Sequence, residues 1–391
     1  MRQSFVNSAN NKFSRLWRQA VLGASLLLTL LFAFSVALQL SSDPVTLVIS
    51  FVVIAALNRM IATIIHELGH ACSAWLVGWQ VHLIAVGRFS FAPVRKRFVR
   101  LSGYPKQDVG GWVHATPRGG MSWNSGNIPF ILGGAVANLA LAIVAFGAAA
   151  VAYSSAKDVF AVLLGLGETS LIFAVSNLIP MYGDGKWKND GALLLDALRG
   201  VRSTAIEQQT ARLYGMWYDG VPFEEWDFTS LDQLASSPAA LQDDIFPLLF
   251  GCAFSFGDVV TARELLERYL EKTLDPAPDY LFCRAFIIAF ADNDPHRAQE
   301  ILDGISTEHA KRSMGYWRAR AVISHLMTNH EDAMKSVKTA RIVARQSGLL
   351  QLDKDDESLF QAIEKNAPLP AIEPRRRLGW FAASKEPAPQ S

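Results

Sequence analysis

Long apolar stretches alternate with short polar segments in the first half of the chain. Residues 19–40 contain no charged side chain, and residues 45–78 form a second, mostly apolar stretch. Two further apolar stretches cover residues 128–153 and 159–180. A helix of about 20 apolar residues is long enough to cross the hydrocarbon core of a bilayer. The pattern therefore predicts a mainly α-helical membrane bundle with four spans.

The first stretch has a second interpretation, because a secretory signal peptide is also apolar. The apolar region of a signal peptide is normally about 7–15 residues long and is followed by a small-residue cleavage site. The stretch at residues 19–40 is longer than this, which favours a retained membrane span.

Lysine and arginine residues predict how the spans are oriented. Residues 1–18 carry four basic side chains and no acidic one, and residues 79–126 carry seven basic side chains and one acidic one. Loops with an excess of Lys and Arg stay on the cytoplasmic side. We therefore expect a multi-pass integral protein with both termini in the cytoplasm, residues 1–18 being a cytoplasmic segment, in the inner membrane of a bacterium.

Composition excludes several classes of protein. The chain has 391 residues, of which 19% are charged, and a formal net charge of +1. A charge this close to zero argues against a nucleic-acid partner, because proteins that bind nucleic acid carry a basic surface. The cysteines Cys72, Cys252 and Cys283 lie far apart in sequence, which argues against a disulfide framework or a zinc site built on cysteine pairs.

The second apolar stretch contains the motif His66-Glu67-Leu68-Gly69-His70. Positions four apart lie on one face of a helix, so both imidazoles can reach one metal ion, with Glu67 beside them as a general base. Ionisable side chains inside a span are costly unless they have partners. Three of them within five residues indicate one zinc ion bound by His66 and His70.

A catalytic zinc ion takes a third protein ligand and leaves its fourth position open. The residues alone leave several candidates. His82 and Asp108 lie between the second and third spans, and Asp184 and Asp190 each begin an Asp-Gly pair after Pro180. Asp-Gly pairs favour turns, so either of the last two carboxylates could return toward the membrane surface.

With these two motifs, residues 49–195 resemble the site-2 protease family of intramembrane zinc metallopeptidases (M50). In that family the two histidines of the HExxH motif bind zinc and its glutamate is the catalytic base. The resemblance assigns the ligand roles to His66 and His70 and the catalytic role to Glu67. In the family a later span ends in Asn-x-x-Pro and is followed by Asp-Gly, whose aspartate is the third ligand.

The second motif of the family matches Asn177 and Pro180. The resemblance to its longer-loop variant favours Asp190 as the third metal ligand, with Asp184 as the alternative. The segment 134–138 resembles the Gly-Pro-x-x-Asn stretch of the family, although Ala135 replaces the proline. The resemblance suggests that Asn138 or Asn177 helps to hold the substrate carbonyl.

Residues 79–126 connect the second and third spans. Bulky residues alternate with smaller or polar ones in short runs there, which predicts short strands. We expect a small β-hairpin region, and in the resembling family such a region lies beside the active site, where an extended substrate could add as a strand.

The composition changes after residue 200, so residues 19–200 are predicted to form the membrane domain. Residues 201–365 form a cytoplasmic helical domain with a repeat: Ala262, Ala298 and Ala333 each open a similar segment. Their spacing of 36 and 35 residues resembles a tetratricopeptide array. Such arrays bind proteins, so a protein partner is expected.

The proline-rich residues 366–391 are predicted to be a flexible tail whose Arg375-Arg376-Arg377 run could contact anionic lipid.

These observations predict a zinc-dependent intramembrane endopeptidase. Its substrate would be a transmembrane segment of another protein, cut near the cytoplasmic side, because His66 lies about 33 Å along a straight helix from Pro44. The alternative is a catalytically idle membrane scaffold or adaptor that binds partners through the helical repeats. A metal-ion transporter is a third class, but it would need further ligand clusters on facing spans.

The third ligand can be tested with single alanine variants of Asp190, Asp184 and Asp108. We expect Asp190→Ala alone to lose bound zinc, because a site with two remaining protein ligands binds zinc weakly. Zinc content of the purified proteins is the measurement. Full zinc in Asp190→Ala with loss in Asp184→Ala would reverse the assignment.

Overall fold

A computed structural model of the chain describes residues 17, 19–21, 23–31, 34–38, 43–87, 89–99, 110–119, 121–182, 188–242, 244–273, 276–305, 310, 313–347, 354–371, 375–378 and 380. Packing divides the chain into two compact units. The first comprises Met1–Lys96 and Gln107–Gln208, and the second comprises Arg97–Lys106 and Gln209–Ser391.

Four helices of the first unit are long and apolar enough to cross a membrane, counted over the described residues. They are α1 (Gln19–Leu38), α2 (Pro44–Leu76), α3 (Trp123–Ala152, apolar from Gly126) and α4 (Lys157–Leu178). A shorter helix, α5 (Asp190–Leu198), follows α4. The prediction of a mainly helical protein with four long apolar helices is confirmed, whereas their insertion in a membrane stays a prediction.

Helix α2 has 33 residues and begins at a well-formed cap. The carboxylate of Asp43 accepts a hydrogen bond from the backbone N–H of Thr46 at 2.8 Å, and Pro44 occupies the first turn, where its missing N–H is harmless. At 1.5 Å per residue the helix is about 50 Å long. Its length therefore exceeds the roughly 30 Å hydrocarbon core.

Small residues let α2 and α3 cross at close range. A Cβ atom built on Gly69 would lie 2.3 Å from the carbonyl oxygen of Gly133 and 2.5 Å from the Cβ of Ala137. Helices in membranes commonly pack through such small residues because their backbones can then approach closely. This crossing brings the HExxH segment of α2 against the middle of α3.

A small sheet connects α2 to α3, as predicted. Its strands are β1 (Trp79–Val86), β2 (Phe89–Ala92), β3 (Arg97–Val99) and β4 (Gly111–Pro117), in the order β3-β2-β1-β4. Strand β1 pairs antiparallel with β2 and with β4, with Ile84 opposite both Phe91 and Val113. An irregularity between Val81 and Leu83 breaks the β1–β4 register. Strand β4 thus forms one edge of the sheet.

The second unit is built from helices. In chain order they are α6 (Ala205–Asp219, which begins in the first unit), α7 (Phe228–Ala235), α8 (Phe246–Ser255), α9 (Val259–Lys272), α10 (Pro278–Ala291), α11 (Pro295–Asp303), α12 (Met314–Leu326), α13 (His330–Ser347) and α14 (Lys354–Glu364). A short 3₁₀ turn lies at Phe223–Glu225.

Equivalent caps recur in the second unit at the predicted spacing. Asp258, Asp294 and Asn329 each accept a hydrogen bond from the backbone N–H three residues later, at 3.1–3.2 Å. Each cap lies between the two helices of one pair, and the pairs are α8/α9, α10/α11 and α12/α13. A short side-chain oxygen at this position satisfies an N–H that the helix leaves unpaired. A tetratricopeptide architecture for these pairs stays a prediction.

Two described residues of the predicted tail, Arg375 and Leu378, donate backbone hydrogen bonds to the second unit. The backbone N–H of Arg375 donates to the carbonyl oxygen of Phe256 at 2.8 Å, and that of Leu378 donates to the carboxylate of Asp258 at 2.7 Å. These contacts join residues 375 and 378 to the turn before α9, and the flexibility of residues 366–391 stays a prediction.

Arg318 joins three parts of the second unit. Its guanidinium carbon lies 4.5 Å from the ring centre of Phe254 and 4.6 Å from that of Phe286. Its Nη1 is 3.2 Å from the carboxylate of Asp356, and both side chains are nearly buried. The charge is therefore stabilised by two aromatic faces and one carboxylate.

We expect Arg318→Ala to lower the free energy of unfolding of the second unit by about 3 kcal/mol, because it removes one member of a nearly buried ion pair. Chemical denaturation followed by tryptophan fluorescence measures this. Arg263→Ala is the matched control, since its pair with Asp292 is exposed and worth less than about 1 kcal/mol. Equal effects of the two variants would contradict the assignment.

Candidate metal centre

Three potential ligand atoms meet between α2 and the start of α5. The Nε2 atoms of His66 and His70 lie 3.1 Å apart. The Oδ2 atom of Asp190 lies 2.9 Å from the first and 3.2 Å from the second. The two histidines are one helical turn apart, whereas the aspartate comes from more than a hundred residues later.

The spacing of these atoms suits a metal ion. Ligands about 2.0–2.2 Å from a tetrahedral zinc ion lie about 3.3 Å from one another. The three observed separations are close to this value. His66, His70 and Asp190 therefore form a largely buried group that could hold a metal ion.

A backbone carbonyl orients the ring of His70. Its Nδ1 lies 2.7 Å from the carbonyl oxygen of Phe130 in α3. A carbonyl only accepts hydrogen bonds, so Nδ1 carries the proton and donates it. In the neutral ring the lone pair is then on Nε2, which faces His66 and Asp190. A metal-ligating histidine typically has this kind of support on its other nitrogen.

Asn138 contacts the Nδ1 side of the His66 ring. The His66 Nδ1 lies 3.3 Å from the amide Nδ2 of Asn138, whose side chain is fully buried. The other amide atom, Oδ1, accepts no hydrogen bond from the described residues. Exchanging the two amide atoms places Oδ1 beside Nδ1. His66 Nδ1–H then donates to it, and the Nε2 lone pair is free for a metal.

Asp190 owes its position to its neighbour Asn189. The Asn189 amide donates to the carbonyl oxygens of Asn177 at 3.1 Å and Ile179 at 2.8 Å. Its Oδ1 accepts from the backbone N–H groups of Met181 and Ala192 at 2.8 and 3.0 Å. One buried side chain thus caps α5 and ties it to the end of α4.

Two glycines leave the space that this arrangement needs. A Cβ atom on Gly191 would lie 2.4 Å from the carbonyl oxygen of Leu178, so only glycine lets α5 start this close to the end of α4. A Cβ atom on Gly134 would lie 2.5 Å from both His66 Cε1 and His70 Nε2. Gly134 thus forms the wall of α3 against the two rings.

Glu67 lies against the edge strand of the sheet. A Cβ atom on Gly111 of β4 would lie 2.6 Å from the Glu67 Oε1. Glu67 follows the potential ligand His66 in sequence and does not belong to the ligand group. A general base beside a metal site has this relation to the ligands.

The Asp190 carboxylate is ionised at neutral pH. Burial opposes its ionisation, but contacts with the Nε2–H groups of protonated His66 and His70 outweigh burial and lower the pKa of Asp190 to about 2. A bound metal cation would take the place of those two protons. An ionised carboxylate is the form that binds a metal cation.

The remaining candidates have different surroundings. The Nε2 of His82 pairs with the Oγ1 of Thr116 at 2.7 Å within the sheet. The Asn177 amide donates to the carbonyl oxygen of Phe173 at 3.0 Å in its own helix. Asp108 and Asp184 lie outside the described residues. The contact of Asn138 or Asn177 with a substrate carbonyl stays a prediction.

Sequence reasoning missed Asn189, Phe130 and Gly111. Asn189 precedes the predicted ligand and is a good N-cap residue type, which was a usable signal. Phe130 acts through its backbone oxygen, and Gly111 through its missing side chain. Neither contact leaves a pattern in the sequence.

Comparisons with protein-family models, with curated proteins and with solved structures find no match to this chain.

The wall formed by α3 can be tested with two glycine variants of the same helix. We expect Gly134→Ala to lose most of its bound metal, because its methyl group collides with both imidazoles. Gly147→Ala is the control, since a Cβ there meets nothing within 4 Å. Metal content after equilibration with zinc is measured for both. Full metal binding by Gly134→Ala would contradict the site geometry.

Proposed function

We propose that this protein is a zinc-dependent intramembrane endopeptidase of the site-2 protease type. The observation that carries the proposal is the meeting of His66, His70 and Asp190 within 3.2 Å of one another. Two imidazoles and one carboxylate form a ligand set typical of catalytic zinc sites.

The position of the group supports a membrane substrate. His66 and His70 belong to α2, one of the four helices apolar enough to span a bilayer. His66, Glu67 and His70 are at most 6% exposed. Polar groups buried in such a helix are expensive and mark functional sites. A substrate that reaches them comes from the membrane.

Zinc bound by this group would supply Lewis-acid activation of a water molecule and of the scissile carbonyl. Glu67 acts as the general base and takes the proton of the attacking water. The same carboxyl group then gives this proton to the leaving amine. Its location beside Gly111 keeps it close to the ligand group and to the edge of the sheet at the same time.

The edge strand β4 supports an extended substrate. A helical substrate hides its carbonyl groups in hydrogen bonds, so it has to unwind before cleavage. An unwound segment could add to β4 as a further strand. Because Gly111 of β4 touches Glu67, such a strand would present its backbone to the catalytic base.

The cellular setting is part of the proposal. Basic residues in 1–18 and 79–126 support cytoplasmic termini and cleavage near the cytoplasmic face. We also propose that the protein lies in the inner membrane of a bacterium. The helix pairs of the second unit are proposed to bind a protein partner. The three recurring caps support a stacked array.

Cleavage of single-span reporter proteins in co-expressing cells tests the catalytic role. We expect Glu67→Gln to reduce cleavage at least about a hundredfold, because a general base contributes roughly 10²–10⁴-fold. Glu168→Gln is the matched control: it changes another carboxyl group in an apolar helix, α4, and should retain activity.

Both variants should bind zinc, since neither residue belongs to the ligand group. If a reporter is cut equally in cells that express wild type and in cells that express Glu67→Gln, the enzyme assignment is contradicted. It would favour the idle scaffold that binds partners through the second unit.

A further inference from the structure

Residues 375–378 and 380, which we call the C-terminal segment, pack on an acidic surface of the second unit. We propose that this surface is a peptide-binding groove and that the C-terminal segment is its displaceable resident ligand. We call the surface the α7–α9 groove and define it by residues 224–232 and the turn 256–258. Its preferred peptides are basic and contain an aromatic residue.

Two backbone N–H groups of the segment donate hydrogen bonds to the groove. The N–H of Arg375 donates to the carbonyl oxygen of Phe256 at 2.8 Å. Three residues later, the N–H of Leu378 donates to Asp258 Oδ2 at 2.7 Å. Asp258 is only 5% exposed and also caps α9. A hydrogen bond to a buried carboxylate is among the stronger ones.

Side chains add selectivity for positive charge. Arg375 forms an ion pair with Glu224 at 2.8 Å. The guanidinium carbon of Arg376 lies 3.7 Å from the ring centre of Phe228, a distance that allows a cation–π contact. Phe228 packs edge-on against Phe256 with ring centres 5.4 Å apart. The groove thus combines acidic side chains with aromatic rings.

The last described contact selects an aromatic donor. The indole N–H of Trp380 donates to the carboxylate of Asp232 at 2.7 Å. Trp, Arg and a few backbone hydrogen bonds form the kind of compact contact set that dominates peptide binding. Within the described residues, Arg375, Arg376, Leu378 and Trp380 each have a specific partner in the groove.

The segment is held but remains replaceable. The Arg375 and Glu224 side chains are 38% and 50% exposed, and exposed ion pairs contribute less than about 1 kcal/mol. A tethered segment competes at an effective concentration of about millimolar. A partner peptide with the same groups can therefore displace it only when it binds well or is abundant.

Peptide binding to the full-length protein in detergent tests this. The probe is a fluorescein-labelled peptide of residues 373–384, measured by fluorescence anisotropy. We expect weak binding to wild type and at least tenfold tighter binding to the double variant Arg376→Ala/Trp380→Ala, which weakens the resident segment and leaves the groove intact. Adding Glu224→Gln and Asp232→Asn to the double variant should weaken its affinity for the peptide at least tenfold. Glu331→Gln, which lies outside the groove, is the control and should leave the affinity unchanged.

Equal binding by wild type and the double variant would overturn the proposal, as would undiminished binding after the groove carboxylates are neutralised. Hydrogen exchange of the wild-type protein is the second measurement. The amides of Arg375 and Leu378 should be protected, and free peptide should accelerate their exchange. Unprotected amides, or binding of the probe only to anionic phosphatidylglycerol vesicles, would also overturn it.

Discussion

The rest of the first unit depends on one constraint, which is the burial of three polar groups at one place. They are two imidazoles of the apolar helix α2 and one carboxylate from the start of α5. Such groups are costly away from water unless each polar atom has a partner. Phe130 and Asn138 lie behind the two rings, and Asn189 holds the segment that carries Asp190. The glycines of α2, α3 and α5 let three backbones come close enough for all of these contacts. The ligand group and its supports thus form one connected structure.

The same part of α2 links the long apolar helices to the sheet. Glu67 is adjacent in sequence to His66, and a Cβ atom on Gly111 of β4 would lie 2.6 Å from its Oε1, so the proposed base lies against an edge strand. In the proposed reaction, this places proton transfer beside the backbone of an extended substrate. The second unit has a different chemistry, in which acidic and aromatic residues bind a basic segment of the chain itself.

Much of this architecture could be predicted from sequence, because hydropathy and the HExxH spacing are local signals. The four apolar helices and the small sheet are confirmed. Asp190 lies beside His66 and His70 as the second motif led us to expect, while zinc ligation stays a prediction. The supporting contacts could not be predicted. The hydrogen bond to the carbonyl of Phe130, the close approach at Gly111 and the contacts of residues 375–378 all depend on how distant elements pack.

The most direct test of the central claim is X-ray absorption at the zinc edge of the purified full-length protein. We expect one zinc ion per chain with two imidazole nitrogens and one carboxylate oxygen at about 2.0–2.2 Å, and a further light ligand. Loss of one imidazole contribution in His66→Ala should accompany loss of affinity. Sulfur at about 2.3 Å, or a protein that binds no zinc at micromolar concentration, would contradict the proposed metal centre.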